Sequence, residues 1–264
     1  MILKTPAIAL RRYPFSETSL VITWLSPDAG RLHTLIKGAF RPKSLFFGAA
    51  DLFYTCELVY HDRGPEGLAI AREISPLRHR TPLRSDWRAC AVASYLCGVV
   101  AKIVPRGATR TDLYHWLEGA LDELVLRGGS LPRLCSLELR LARVLGLGPR
   151  LERCIRCESS LPVSGYVWFS APNGGWFCEN CVVRLKGPRP APIPSAVIHR
   201  LIDWERAGDA LIQPIPPSTI DAANRLVGSF MAHHLDCPAP MRMAAVDILS
   251  RQPPPPVDLQ RTVR

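Results

Sequence analysis

No run of apolar residues in this chain is long enough to cross a bilayer. The longest, Ala89 to Ala101, covers 13 residues, whereas a spanning helix needs ~20; a buried core helix fits it instead. Near the N-terminus the apolar stretch is short, holds Lys4 and Pro6, and runs into Arg11-Arg12, so no secretory leader is expected. The signatures of common catalytic sites are missing too: there is no G-x-x-x-x-G-K-[ST], H-E-x-x-H, G-x-S-x-G or G-x-G-x-x-G. The acids are scattered rather than clustered for a divalent pair. These gaps argue against an enzyme, a small-molecule substrate and a membrane partner. Acids are also in short supply, 23 against 33 Lys+Arg, which leaves a net charge of +10. Four thiolates and one Zn²⁺ would still leave +8. A surplus of that size attracts a polyanion, of which nucleic acid is the commonest intracellular one.

The surplus is not a tail. Residues 1–81 and 82–150 each carry four more cations than acids, and 151–264 only two more. With 47% apolar residues the chain can bury a core without disulfide staples.

Residues 1–81 read as β: Ala7–Leu10, Leu20–Leu25, Arg31–Ile36, Leu52–His61 and Leu68–Ile74 are runs separated by Gly, Pro and Asp turns. Five short strands over this length suit a small closed barrel of the oligonucleotide/oligosaccharide-binding (OB) type, with an SH3-like barrel as rival. From Thr81 the period becomes helical. One helix is expected from Thr81-Pro82 to about Val104, and a second over Leu113–Arg127 capped by Thr111. A third opens at Ser130-Leu131-Pro132, with Leu134, Leu137, Leu141, Val144 and Leu145 as its apolar stripe. Pro188 to Pro194 make a stiff connector. Ser195 is expected to cap a helix ending at Gly208, and Ser218, with Asp221 three residues on, the last clear helix, through about Leu235. The expected class is thus α+β and multidomain: a barrel over 1–81, a mostly helical domain over 82–250, and a disordered tail over 251–264.

Helical periodicity lapses between about 150 and 187, where Cys154-x₂-Cys157 and Cys178-x₂-Cys181 stand. Two residues between cysteines let both sulfurs of a tight turn face one ion, and two such turns complete a tetrahedral S₄ shell. The spacer holds a strand signal at Tyr166–Phe169, then Asn173-Gly174-Gly175, then Trp176-Phe177 returning to the second pair. This is a hairpin with a cysteine pair at each end, a zinc ribbon holding one structural Zn²⁺. An iron–sulfur cluster uses the same ligands, and a disulfide pair is the remaining alternative. All four positions are filled by protein, so the metal offers no open site. Nine cysteines without a leader point to a reducing compartment and hence to cytoplasm. Cys56, Cys90, Cys97, Cys135 and Cys237 read as small buried apolar residues.

The segment Leu35 to Ser44 leaves a strand into a loop with three cations, a glycine and an aromatic. Lys37, Arg41 and Lys43 can neutralise phosphates, Gly38 permits close approach, and Phe40 can stack on a base. Arg11, Arg12, Arg31 and Arg72 are candidates for the same face. A strand edge with ordinary gatekeeper charges would look similar.

The run from Tyr13 to Glu73 resembles the N-terminal domain of the RecO family of bacterial recombination mediators. The resemblance is carried by Ser16 to Thr23, by Asp28-Ala29-Gly30-Arg31-Leu32, and above all by Lys37-Gly38-Ala39-Phe40-Arg41-Pro42-Lys43-Ser44. There the family pattern is Lys-Gly-Ala-Arg-x-x-Lys-Ser, so Phe40 stands where Arg is usual, with Arg41 beside it. The order barrel, helices, ribbon, helices continues the likeness to about residue 250. It implies an OB fold that binds single- and double-stranded DNA and anneals complementary strands. It also implies work with RecR and RecF in loading RecA onto strands coated by single-stranded-DNA-binding protein (SSB), whose C-terminal tip would meet the helical domain. A cytoplasmic, nucleoid-associated location follows. The alternatives are a zinc-ribbon and OB module for RNA or translation, and a protein-interaction scaffold whose charge is incidental.

Overall fold

The computed structural model describes residues 1–46, 48–64, 67–207, 215–235 and 239–251. The expectations made for Gly208, Cys237 and the tail from Gln252 onward lie outside those residues.

Five strands, β1 (Ile2–Pro14), β2 (Leu20–Ser26), β3 (Gly30–Ile36), β4 (Thr55–His61) and β5 (Ala69–Arg78), close into a barrel of order β1-β2-β3-β5-β4. All neighbours run antiparallel except β3 and β5, which pair in parallel at Thr34–Ala69 and Leu35–Ile70. Alternation sorts the side chains. In β3, Leu32, Thr34 and Ile36 are buried and Arg31, His33 and Leu35 are half-buried between them. In β1, Ala7 and Ala9 join the barrel core around Trp24, while Ile8 and Leu10 pack into the helical core. Because both faces of β1 are covered, its centre reads as a continuous apolar run. Trp24 is fully buried, and its indole N–H donates to Thr34 Oγ1 at 2.9 Å.

The helical part begins with one 3₁₀ turn, Thr81–Arg84, and not with a long helix. Asp86 restarts the chain as α1 (Trp87–Ile103), its carboxylate accepting from the Arg88 and Ala89 N–H groups at 3.0 and 2.9 Å. In α2 (Thr111–Arg127), Thr111 is the first helical residue rather than the cap, and its hydroxyl donates to Pro27 O. Leu113, Leu117, Leu121 and Leu124 form the buried stripe. Ser130 caps α3 (Leu131–Val144) as its sequence indicates.

A second sheet of order β7-β6-β8 follows, made of β6 (Tyr166–Ser170), β7 (Gly175–Phe177) and β8 (Pro192–Pro194), with a short α4 (Glu179–Val182) between β7 and β8. The proline-rich connector therefore ends as an edge strand, where prolines are tolerated because the outer edge asks for no donor. Three further helices complete the described chain: α5 (Ser195–Ala207), α6 (Pro217–His234) and α7 (Ala239–Ser250). The Ser195 hydroxyl is buried without a partner, and no side chain caps α6, so neither serine acts as the expected cap. α7 is additional to the helices read from sequence; it packs across α1. Val167, Phe169, Trp176 and Phe177 share one core with the helices.

Arg80 joins the barrel to this core. It is 2% exposed, and its guanidinium donates to Phe53 O (2.6 Å), Thr55 Oγ1 (3.0 Å) and Asp122 Oδ1 (2.7 Å). Among the described residues no helix is long and apolar enough to cross a membrane.

Candidate nucleic-acid face and metal centre

The loop after β3 turns at once. Gly38 has φ +70°, and Arg41 N–H donates back to Gly38 O at 3.1 Å. The Phe40 N–H donates to Thr18 O at 3.2 Å, which ties the loop to the β1–β2 turn. Ala39 faces inward, whereas Lys37, Phe40, Arg41 and Lys43 are exposed. Among the described residues none of these three cations makes an ion pair, and the stretch from Lys37 to Ala50 contains no acid. Three unneutralised cations on one turn form a local positive patch.

A side chain on residue 38 would strain this turn twice over. Positive φ disfavours any Cβ, and a Cβ there would come within 3.2 Å of Arg41 Cδ, which lies over the glycine. Gly38→Ala is therefore expected to displace Arg41 and lower stability by about 1–2 kcal/mol. Chemical denaturation, with DNA affinity measured on the folded fraction, checks both effects.

The other predicted cations divide between two ends of the barrel. Continuing the parallel β3–β5 register carries Arg72, exposed at a bulge, to the level of Lys37. Arg12 also lies beside the loop, in an ion pair with Asp51, which binds Arg84 as well. Arg84 and Asp51 went unrecognised in sequence, since nothing local marks a partnership across 33 residues. Arg11 and Arg31 turn away. Arg11 donates to Gly98 O at 3.0 Å and Arg31 to Ala101 O, so both dock the barrel onto α1. Arg31 lies at the far end of β3, beside a cavity of about 420 Å³ that also includes His33 and Arg106. There burial, then Arg31 and Arg106, hold the His33 imidazole below its ordinary pKa.

The four cysteine sulfurs at 154, 157, 178 and 181 all lie within 4.8 Å of one another, with Cys157 and Cys178 Sγ 3.6 Å apart. The four are unpaired thiols rather than disulfides. A tetrahedral zinc with Zn–S bonds of ~2.3 Å has S···S edges of about 3.8 Å, so the cluster has the size and donor set to hold such an ion. The Cys178 N–H points at Cys154 Sγ (3.4 Å), and Ser159 Oγ lies 3.2 Å from Cys157 Sγ, the outer contacts that orient thiolates. Local folding delivers the two pairs. β6 and β7 pair through Phe169–Trp176 across a turn at Gly174, and Trp176, fully buried, donates its indole N–H to Leu151 O at 2.7 Å. Of the remaining cysteines, Cys56, Cys97 and Cys135 are buried, and burial pushes each thiol up to about 12; Cys90 is half-buried.

Residues 1–80 match the family model described as Recombination protein O N terminal, and residues 84–242 the one described as Recombination protein O C terminal. Curated relatives agree along most of the chain. The DNA repair protein RecO of Anaeromyxobacter sp. (strain K) is 28% identical over 235 residues, 88% of this chain and 91% of that protein. That of Rhodopirellula baltica is 30% identical over 222 residues, 82% and 78% of the two chains. That of Desulforudis audaxviator is 28% identical over 241 residues, 88% and 92%.

Proposed function

Because the chain belongs to the RecO family, both of whose domain models match it, we propose that it is a non-enzymatic, DNA-binding mediator of recombination in DNA repair. The barrel is of the OB type; its order β1-β2-β3-β5-β4, closed by one parallel pair, supports that class. It binds single- and double-stranded DNA, anneals complementary strands, and works with RecR and RecF in loading RecA onto SSB-coated DNA. The SSB C-terminal tip docks on the helical domain. The protein acts in the cytoplasm, at the nucleoid. The four cysteines hold one structural zinc, which supplies a fixed crosslink and no reaction chemistry.

The observation that carries this reading is the unneutralised loop of Lys37, Arg41 and Lys43 on the barrel. Two DNA backbones repel each other, and cations that neutralise both lower the barrier to pairing. Each phosphate contact releases condensed counterions, so binding weakens as salt rises.

Replacing Lys37, Arg41 and Lys43 together with alanine is expected to weaken duplex binding on the order of a hundredfold at moderate salt. The slope of log K against log[salt] should become shallower by roughly 2–3, since each lost contact removes ~0.9. An unchanged slope would remove this loop from the interface. Annealing of complementary oligonucleotides precoated with SSB, with and without the protein, tests the mediator role; no acceleration defeats it. A strong preference for RNA over DNA of the same sequence would favour a translation-associated module instead.

A further inference from the structure

Beneath the basic loop lies a cup of about 190 Å³ whose lining is chemically divided. Its floor is apolar, with Ile36, Ala39 and Ala50 each less than a tenth exposed. Phe40, 46% exposed, forms one wall, and Leu20, Phe46 and Gly48 complete the apolar lining. The rim is polar: Asp51 binds both Arg12 and Arg84, and its carboxylate also accepts the Leu52 N–H at 2.8 Å. Arg84 stands against the Tyr54 ring, 5.9 Å from its centroid, which holds that guanidinium in place from below.

We propose that this cup receives one unpaired nucleobase of a bound DNA strand, stacked on Phe40 while the flanking phosphates lie on Lys37, Arg41 and Lys43. This rests on the DNA-binding reading and adds a single-strand-specific element to it. The division of the lining selects the occupant. A phosphate in the cup would lie on an apolar floor and have to share the Arg12 and Arg84 guanidiniums with the Asp51 carboxylate already between them. An aliphatic side chain would leave the charged rim unmatched. A flat base has an apolar face for Phe40 and a hydrogen-bonding edge for the rim, where one carboxylate and two guanidiniums offer both acceptors and donors. Because the rim offers both kinds of group, it admits any base edge, which suits binding without sequence preference. In a duplex the bases are stacked and paired, so the cup stays outside that contact while the three cations still meet the backbone.

The two binding modes therefore separate in the Phe40→Ala variant, whose exposed side chain supports no core. Its affinity for a dT oligonucleotide of about sixteen nucleotides is expected to fall about ten- to a hundredfold. Its affinity for a duplex of the same length and its salt slopes should stay unchanged. The wild type should bind an abasic oligomer of that length as weakly as Phe40→Ala binds dT, and the variant should not distinguish the two. Thymidine monophosphate should not displace the oligonucleotide. Equal loss on single strand and duplex, or no loss of wild-type affinity on the abasic oligomer, overturns the cup and leaves DNA binding intact. Displacement by the mononucleotide overturns it in favour of a free-nucleotide site. A wild type that binds neither DNA form at low salt defeats the DNA-binding reading itself, and the cup falls with it.

Discussion

Removing the zinc proposed at Cys154, Cys157, Cys178 and Cys181, by a strong chelator or by Cys154→Ser, is expected to unfold the segment from about 150 to 187 and leave the barrel folded. The sheet of this segment is small, and the four sulfurs tie its two ends together. β7 and β8 are three residues long and β6 five, at the short end for strands, so the sheet adds little stability of its own. Binding of structural zinc supplies about 10–16 kcal/mol, far more than the hairpin's own packing can replace. The damage should spread by known contacts. Phe169 meets the Phe230 ring of α6 at 6.5 Å, and His234 Nε2 lies 2.8 Å from Ala171 O, so α6 loses its seat when the hairpin opens. The barrel core, centred on Trp24 and Leu58, shares none of these residues. Metal analysis should give one zinc per chain. After removal, hydrogen exchange should rise steeply over Tyr166–Phe177 and α6 and remain slow in β1–β5. Duplex DNA affinity should be largely retained. Full protection of the hairpin in demonstrably metal-free protein would show that the cysteines are not what holds it.

That separation explains why some of the molecule can be read directly from sequence and some cannot. The cysteine pairs are legible because each pair is a local turn with a fixed spacing, and Asn173-Gly174 marks the hairpin between them. The Leu stripes of α2 and α3 are legible for the same reason: period alone fixes the face. Pro6 misleads, because it interrupts an apolar run yet lies inside β1, opposite Glu57. It is tolerated since β2 begins to pair with β1 only at Ile8, so at Pro6 one side of the strand needs no donor. Arg11 and Arg31 mislead in the opposite sense. A guanidinium on a strand looks the same in sequence whether it faces a phosphate or a helix carbonyl, and the docking of α1 decides. Lys37, Arg41 and Lys43 leave the sheet in a turn and stay exposed, so no helix covers them. α7 is hard to read because its apolar face, Met241, Ala245 and Leu249, is short, and one distant carboxylate supplies much of its anchoring.

That carboxylate is Glu138, and replacing it or its partner is expected to be among the most damaging changes in the helical domain. Glu138 sits between Leu137 and Leu139 on α3 and is fully buried. Its two oxygens accept from Arg242 Nε and Nη2 of α7 at 2.7 and 2.8 Å, and the Tyr95 hydroxyl of α1 donates at 2.6 Å. Burial by itself would lower the Arg242 pKa, but the adjacent carboxylate more than offsets this and holds it above its ordinary value. Both ions have left water, so their mutual attraction chiefly compensates for desolvation, and removing either one strands the other. Glu138→Ala or Arg242→Ala should thus cost about 3–5 kcal/mol, a fall in Tm of roughly 10 °C for a chain of this size. α7 should detach first, since Arg242 is packed tightly against α6: a Cβ on Gly228 would come within 2.7 Å of its Nη1. The decisive comparison is the apolar replacement Glu138→Leu with Arg242→Met and Tyr95→Phe. Without a stranded charge it should regain most of the lost stability, because a well-packed apolar set in place of a buried ion pair is often neutral or better. Thermal unfolding of the three variants, with proteolysis at α7 as the local readout, separates the two roles. If the apolar variant is as unstable as the single ones, the bidentate geometry itself, and not the avoidance of a lone buried charge, is what fixes α7 to the core.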